Sequence, residues 1–281
     1  MQYILLLLVI LLVATQNILQ KQYNQSAKLP KPYLFLSITS FSAMLFFIFS
    51  SGGRLHFTLD VFWYALAFAI SFISAILGLF LSIKWGSLSI SMLVNSYSLI
   101  VPTLYGIFFL KEELGGIGVL GLLLLILSLF LIADKKQKVM FSLPWVMALL
   151  FSFFGNGMCS TIQKAQQIAF DGGYKNELMI MALLICGGTF FLLSCIFHEN
   201  FQEARLCVGM GILNGVANGG VNLMMLVLTG LIPNAILFPS VSAGGVVLGF
   251  VTATFIYKER LSHIQLVGYF IGTLSIILLN L

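Results

Sequence analysis

Charge is what this sequence has least of. Only 8% of its 281 residues are Asp, Glu, Lys or Arg, against roughly 25% in a soluble domain. Such a chain cannot cover a water-facing surface, so a soluble enzyme is excluded. Disorder is excluded as well, because it needs low hydrophobicity and high charge, and 60% of these residues are hydrophobic. Cysteine is scarce: Cys159, Cys186, Cys195 and Cys207 form no CxxC pair and lie in or beside apolar runs, where cysteine behaves as a small hydrophobe. The sequence has no HExxH motif, no paired intramembrane Asp, no Ser/His pair and no acidic cluster for a metal ion. Intramembrane proteases and metal-dependent transferases are thereby set aside. Neither a selectivity-filter loop nor a ring of charge points to a channel. The expectation is a chain that is not an enzyme and uses no cofactor or metal.

What the sequence does have is long apolar runs, with a mean hydropathy of +1.06. About 20 apolar residues cross a bilayer as a helix. Runs between polar breaks give ten such spans, at roughly 3–20, 33–50, 61–83, 88–110, 115–133, 143–164, 177–197, 206–229, 233–257 and 261–280. The breaks are strong, as in Lys28-Leu29-Pro30-Lys31-Pro32 and Asp134-Lys135-Lys136-Gln137-Lys138. All nine acidic residues lie in or beside breaks, because a charge at the bilayer centre costs several kcal/mol. The first run has no positive charge ahead of it and no small-x-small cleavage site after it, so it reads as a span, not a signal peptide. The net charge of +5 comes from basic residues in short loops, where they orient spans; no nucleic-acid partner is expected. The expected fold class is an all-α polytopic membrane protein with ten transmembrane helices. Its partner is the lipid bilayer, and its expected location is a bacterial cytoplasmic (inner) membrane.

The polar run at 134–138 stands near the midpoint and separates two similar halves. Lys111-Glu112-Glu113-Leu114 matches Lys258-Glu259-Arg260-Leu261 at an offset of 147, which also pairs Gly121 with Gly268 and Ser128 with Ser275. Near the start of each half, Gln20-Lys21 matches Gln163-Lys164 at an offset of 143. Halves of five helices each, 1–138 and 139–281, must enter the membrane from opposite sides. Such inverted repeats place a solute site at their interface near the midplane and work by alternating access.

With ten spans, two five-helix repeats and the hairpins Leu110-Lys111-Glu112-Glu113-Leu114 and Tyr257-Lys258-Glu259-Arg260-Leu261, the chain resembles the drug/metabolite transporter (DMT) superfamily, EamA-type branch. The resemblance covers essentially the whole chain. It implies transport of a small-molecule solute, by export or exchange, with an amino acid or a similar polar metabolite as the expected cargo. It leaves the solute unnamed and the chain either a monomer or a homodimer. Small four-helix exporters of that superfamily use a buried glutamate in their first helix. Here the first span has Gln16, Asn17 and Gln20 instead, so the sequence departs from proton-coupled export of cationic drugs. A multidrug efflux protein and a noncatalytic membrane scaffold or accessory subunit stay open beside metabolite transport.

Uncharged polar residues recur within the spans. Asn214, Asn218 and Asn222 share one helical face, as do Asn95 and Ser98 with Ser91, and Asn156, Ser160 and Gln163 with Gln167. Together with Gln16 and Asn17 these are the candidate substrate-pathway residues. An amide in a bilayer needs a partner or water, so each stripe lines a polar cavity or bonds helices together. Asn218 is the expected centre, because Gly215 and Gly219 would leave space beside it. Lys21 and Lys164 would bind an anionic group or reach to the interface. Counted by alternate faces, four Lys and Arg fall on the side of the termini and ten on the other. The positive-inside rule then puts both termini outside the cytoplasm, whereas EamA-type relatives keep them inside.

Overall fold

The computed structural model describes residues 2–26, 31–53, 55–109, 115–132, 142–199, 205–228, 241, 244–245, 248, 251–256, 258 and 262–278. Among them all regular structure is helical: α1 (Gln2–Ser26), α2 (Pro32–Ser50), α3 (Leu59–Trp85), α4 (Leu88–Ser96), α5 (Ile100–Phe109), α6 (Gly116–Ile132), α7 (Leu143–Ala169), α8 (Lys175–Ile196), α9 (Arg205–Leu228) and α10 (His263–Leu278). Six of these, α1, α2, α3, α7, α8 and α9, are long and apolar enough to cross a membrane. The described part is an all-helical chain with the character of an integral membrane protein. α6 and α10 are shorter, at 17 and 16 residues. The expected span at 88–110 is not one α-helix: a 3-10 turn at Tyr97–Leu99 divides it into α4 and α5. Most of the expected ninth span, residues 28–30 of the helix-breaking run at 28–32, the midpoint run at 134–138 and most of the two hairpin motifs lie outside the described residues.

Two helices run past the ends that apolarity alone sets. α1 continues through Gln20-Lys21-Gln22 to Ser26 because Tyr23 still has a core to enter. Its ring stacks on Phe35 at 4.5 Å, and its hydroxyl accepts from the Lys31 N–H at 2.8 Å. α7 likewise continues to Ala169, where Gln166 Nε2 donates to Gly173 O at 2.8 Å and closes the turn.

α3 and α7 pack antiparallel along most of their length. Ser142 caps α7 by accepting from Trp145 N at 3.4 Å, and Trp145 Nε1 donates to Ser82 O at 3.1 Å near the end of α3. A Cβ on Gly78 would lie 2.5 Å from Ser152 N, and one on Gly155 would lie 2.5 Å from Ala75 N. Glycine from each helix thus lets the two backbones approach. α1 packs on α9, α2 on both α8 and α9, α3 also on α8, α4 and α5 on α7, and α6 on α10.

The α2–α8 pair is tied at both ends by carboxylates. The N–H groups of Tyr33 and Leu34, in the first turn of α2, donate to Glu199 Oε1 and Oε2 at 3.2 and 2.7 Å. A helix start has free N–H donors and a positive dipole end, and a carboxylate answers both. Past the other end of α2, the His56 N–H donates to Glu177 Oε1 at 3.0 Å. The main core cluster lies between these ties, where Phe47, Phe68, Leu178, Met179 and Leu183 meet.

Candidate functional site

A cavity of about 200 Å³ lies inside the helix assembly. α7 is central to it and contributes Asn156, Cys159, Ser160 and Gln163. α4 adds Asn95 and Ser96, α3 adds Phe68 and Phe72, and α1 adds Val13 and Asn17. α9 brings Val221, Asn222 and Met225, and Val241 and Gly245 complete the lining. None of these side chains carries a charge.

The carboxamides of the lining are each committed at one end. Ser152 Oγ donates to Asn95 Oδ1 at 2.8 Å, and Asn156 Nδ2 donates to Ser98 Oγ at 2.6 Å. Asn17 Nδ2 donates to Val13 O at 2.9 Å. Asn222 Nδ2 donates to Asn218 O and Oδ1, at 2.9 and 3.2 Å. Gln163 Nε2 donates to the Met179 sulfur at 3.8 Å, a weak partner. Among the described residues, no hydrogen bond occupies the other end of any of the five. An amide commands two donors and an acceptor, so the five offer hydrogen-bonding groups of both kinds without fixed charge.

Six of the ten residues singled out in the sequence line this cavity: Asn17, Asn95, Asn156, Ser160, Gln163 and Asn222. The other four stand behind or beside it. Ser98 is buried and holds Asn156. Asn214 is buried and donates to Thr39 Oγ1 of α2 at 3.3 Å. Asn218 Nδ2 donates to Gln16 Oε1 at 3.1 Å, a bond between α9 and α1. The space expected beside Asn218 is occupied. A Cβ on Gly215 would meet Thr39 O and Ser42, and one on Gly219 would meet the Phe46 ring at 2.7 Å. These glycines admit the close approach of α2.

The lining residues that pattern reading does not single out are mostly apolar, such as Val13, Phe72 and Val221. Nothing in their type separates them from lipid-facing neighbours. One signal was available: the offset of 143 that joins Gln20 to Gln163 also joins Val13 to Asn156.

α4 stops at the cavity, at Ser96, and the 3-10 turn that follows is anchored from outside. Tyr97 is buried there, its hydroxyl 2.5 Å from Ser128 Oγ of α6, and Ser128 Oγ donates to Gly268 O of α10 at 2.7 Å. The α6–α10 pair therefore holds the turn that carries Ser98 and follows directly on Asn95 and Ser96. Among the described residues no three His, Cys, Asp or Glu side chains gather to hold a metal ion.

No protein-family profile matches this chain, and no curated protein does. Among solved structures, a crystal structure described simply as that of a protein superposes with a TM-score of 0.61 at 15% identity. The match covers 97% of this chain and 98% of the other. At that identity it shows a shared fold over nearly the full length of both.

Proposed function

We propose that this chain is a solute transporter of the drug/metabolite type, with ten spans in two inverted five-helix repeats, 1–138 and 139–281. It moves a small, net-uncharged metabolite by alternating access around the cavity. The observation that carries this reading is the cavity itself: a polar, uncharged space walled by elements from both halves, with carboxamides left half-committed. A scaffold has no use for buried amides facing an internal void, since an unpaired polar group costs stability.

The packing pattern supports the repeats. Let α1, α2, α3 and α6 of the first half correspond to α7, α8, α9 and α10 of the second. The contact of α3 with α7 then becomes that of α9 with α1, and α2 on α9 becomes α8 on α3. The pairs α2–α8 and α6–α10 map onto themselves. Reciprocal contacts of this kind are what a two-fold axis between inverted halves produces. The volume of about 200 Å³ is below the roughly 300–1,000 Å³ of sites for drug-sized ligands, which favours a metabolite over a bulky drug.

The test is counterflow in liposomes containing the purified full chain. Tracer accumulation of a small neutral or zwitterionic solute, absent from protein-free liposomes and saturable by the unlabelled solute, is the expected result. Its absence across neutral amino acids and amides would remove the transport reading.

A further inference from the structure

The lining of the cavity differs in kind from one part to another. α4 and α7 supply Asn95, Ser96, Asn156, Ser160 and Gln163. The lining from α1, α9 and the segment at 241–245 is mainly Val13, Val221, Met225, Val241 and Gly245, with Asn17 and Asn222 between them. α3 adds Phe68 and Phe72, whose rings stack at 5.5 Å.

The contrast is sharpest where the two halves correspond. Asn156 Nδ2 donates to Ser98 Oγ at 2.6 Å. The offset of 143 carries Asn156 to Val13, and the offset of 147 carries Ser98 to Gly245. Val13 and Gly245 are neighbours too: among the described residues, a Cβ on Gly245 would meet Val13 Cγ1 at 3.9 Å and nothing closer. One crossing thus holds a carboxamide bonded to a hydroxyl, and the corresponding crossing holds a valine beside a glycine. A solute polar all round would set its groups against Val13, Val221 and Met225 without a return bond, which costs desolvation. A solute apolar all round would leave Asn95, Asn156 and Gln163 half-paired.

We infer that the cavity takes an amphipathic, net-uncharged solute, with a hydrogen-bonding head on the α4–α7 carboxamides and an apolar end among Val13, Val221 and Met225, which pack together with Val241. This rests on the transport reading above and adds the chemical class of its cargo. The cavity of about 200 Å³ is the room of about seven waters, at roughly 30 Å³ each. That is enough for a short branched chain on a compact head.

The probes are two pairs matched in head and differing in tail: leucine against serine, and isovaleramide against glycolamide. The two heads distinguish a zwitterionic from a neutral ligand. In counterflow with the full chain, the apolar-tailed member of the pair that is carried has a half-saturating concentration at least tenfold lower than its partner's. The double variant Val13→Asn/Gly245→Ser gives the second crossing the residue types of the first, and it narrows that ratio to below threefold. Met225→Gln, a change of similar size, narrows it in the same direction and serves where the double variant does not purify. Serine or glycolamide carried as well as its apolar-tailed partner by the unmodified protein overturns the inference and leaves the transport reading standing. An unchanged ratio in variants that purify and transport also overturns it. No counterflow of any of the four, with no thermal shift by any of them, overturns the inference and the transport reading together.

Discussion

Asn218 Nδ2 donates to Gln16 Oε1 at 3.1 Å, joining α9 to α1 beside the cavity, not within it. The bond makes Asn218 a helix-to-helix tie. Asn218→Leu leaves the Gln16 acceptor without its donor, at a cost of about 1 kcal/mol. Initial uptake per folded molecule is expected to stay within about threefold of the unmodified protein, because interhelical amide bonds of this kind average about 0.6 kcal/mol. A melting curve beside a counterflow assay separates the two quantities. Abolished uptake in a monodisperse, well-folded Asn218→Leu protein would return the residue to the substrate path.

Asn156→Leu should behave in the opposite way. The residue lines the cavity and is held by Ser98. Removing it takes a polar contact from the solute and leaves Ser98 Oγ to find another partner. A loss of about 1.4 kcal/mol of solute binding is tenfold, so uptake at low solute concentration falls about tenfold or more while the protein still purifies as one species. Near-normal uptake at every concentration would show that the solute does not touch Asn156.

The contrast between these two asparagines marks how far the sequence could be read. Helical class, the start of α2 behind Pro32 and the shared face of Asn214, Asn218 and Asn222 all follow from local rules, since periodicity and proline act within a few residues. What that face meets is decided by tertiary packing. Thr39, Ser42 and Phe46 of α2 fill the grooves at Gly215 and Gly219, and no local pattern announces a neighbour 170 or so residues away, as Thr39 is from Asn214. The division of the fourth span at Tyr97–Leu99 was illegible for the same reason. It is held by Ser128 of α6, while Tyr97–Leu99 itself contains neither glycine nor proline, Pro102 and Gly106 lying beyond the turn. The cavity's apolar lining could not be picked out because valine toward a solute and valine toward lipid are the same residue.

Gly155 and Gly188 form a matched pair for stability. Gly155→Val places a Cβ 2.5 Å from Ala75 N and 2.7 Å from Ser71 O, backbone atoms that have nowhere to go. Forced overpacking costs about 1–3 kcal/mol or more, and the melting temperature in detergent should fall by several degrees or the protein fail to accumulate. Gly188, also on a helix, has no described residue within 4 Å of its Cβ position. Gly188→Ala should therefore be neutral or stabilise by up to about 1 kcal/mol through helix propensity. Equal effects at both sites would contradict the close α3–α7 approach.

Transport should not require a proton gradient. No carboxylate stands among the residues lining the cavity, and facilitated diffusion or exchange suits an uncharged lining. Collapsing the pH gradient across the liposome membrane with an ionophore is expected to leave initial counterflow unchanged. Strict dependence on the gradient, traced by substitution to one of the nine acidic residues as the essential titrating group, would refute this.

Orientation has its own measurement. The excess of Lys and Arg on the side away from the termini predicts both termini outside the cytoplasm. A C-terminal alkaline phosphatase fusion should then be active and a fluorescent protein fusion dark. The reverse pair of results would place both termini inside the cytoplasm and overturn the charge count.

The carboxylates of Glu177 and Glu199 have a bearing on motion. Glu199 accepts two N–H groups in the first turn of α2 and Glu177 one from His56 past its far end, and the two carboxylates sit at opposite ends of α8. α2 and α8 come from different halves, yet they are moored to each other at both tips, so neither slides along the other without breaking charge-assisted bonds. If the halves trade places about the cavity, this pair is the axle and not the door. Under the transport reading, a moving part is then sought away from this pair, near the turn that Tyr97 anchors on Ser128.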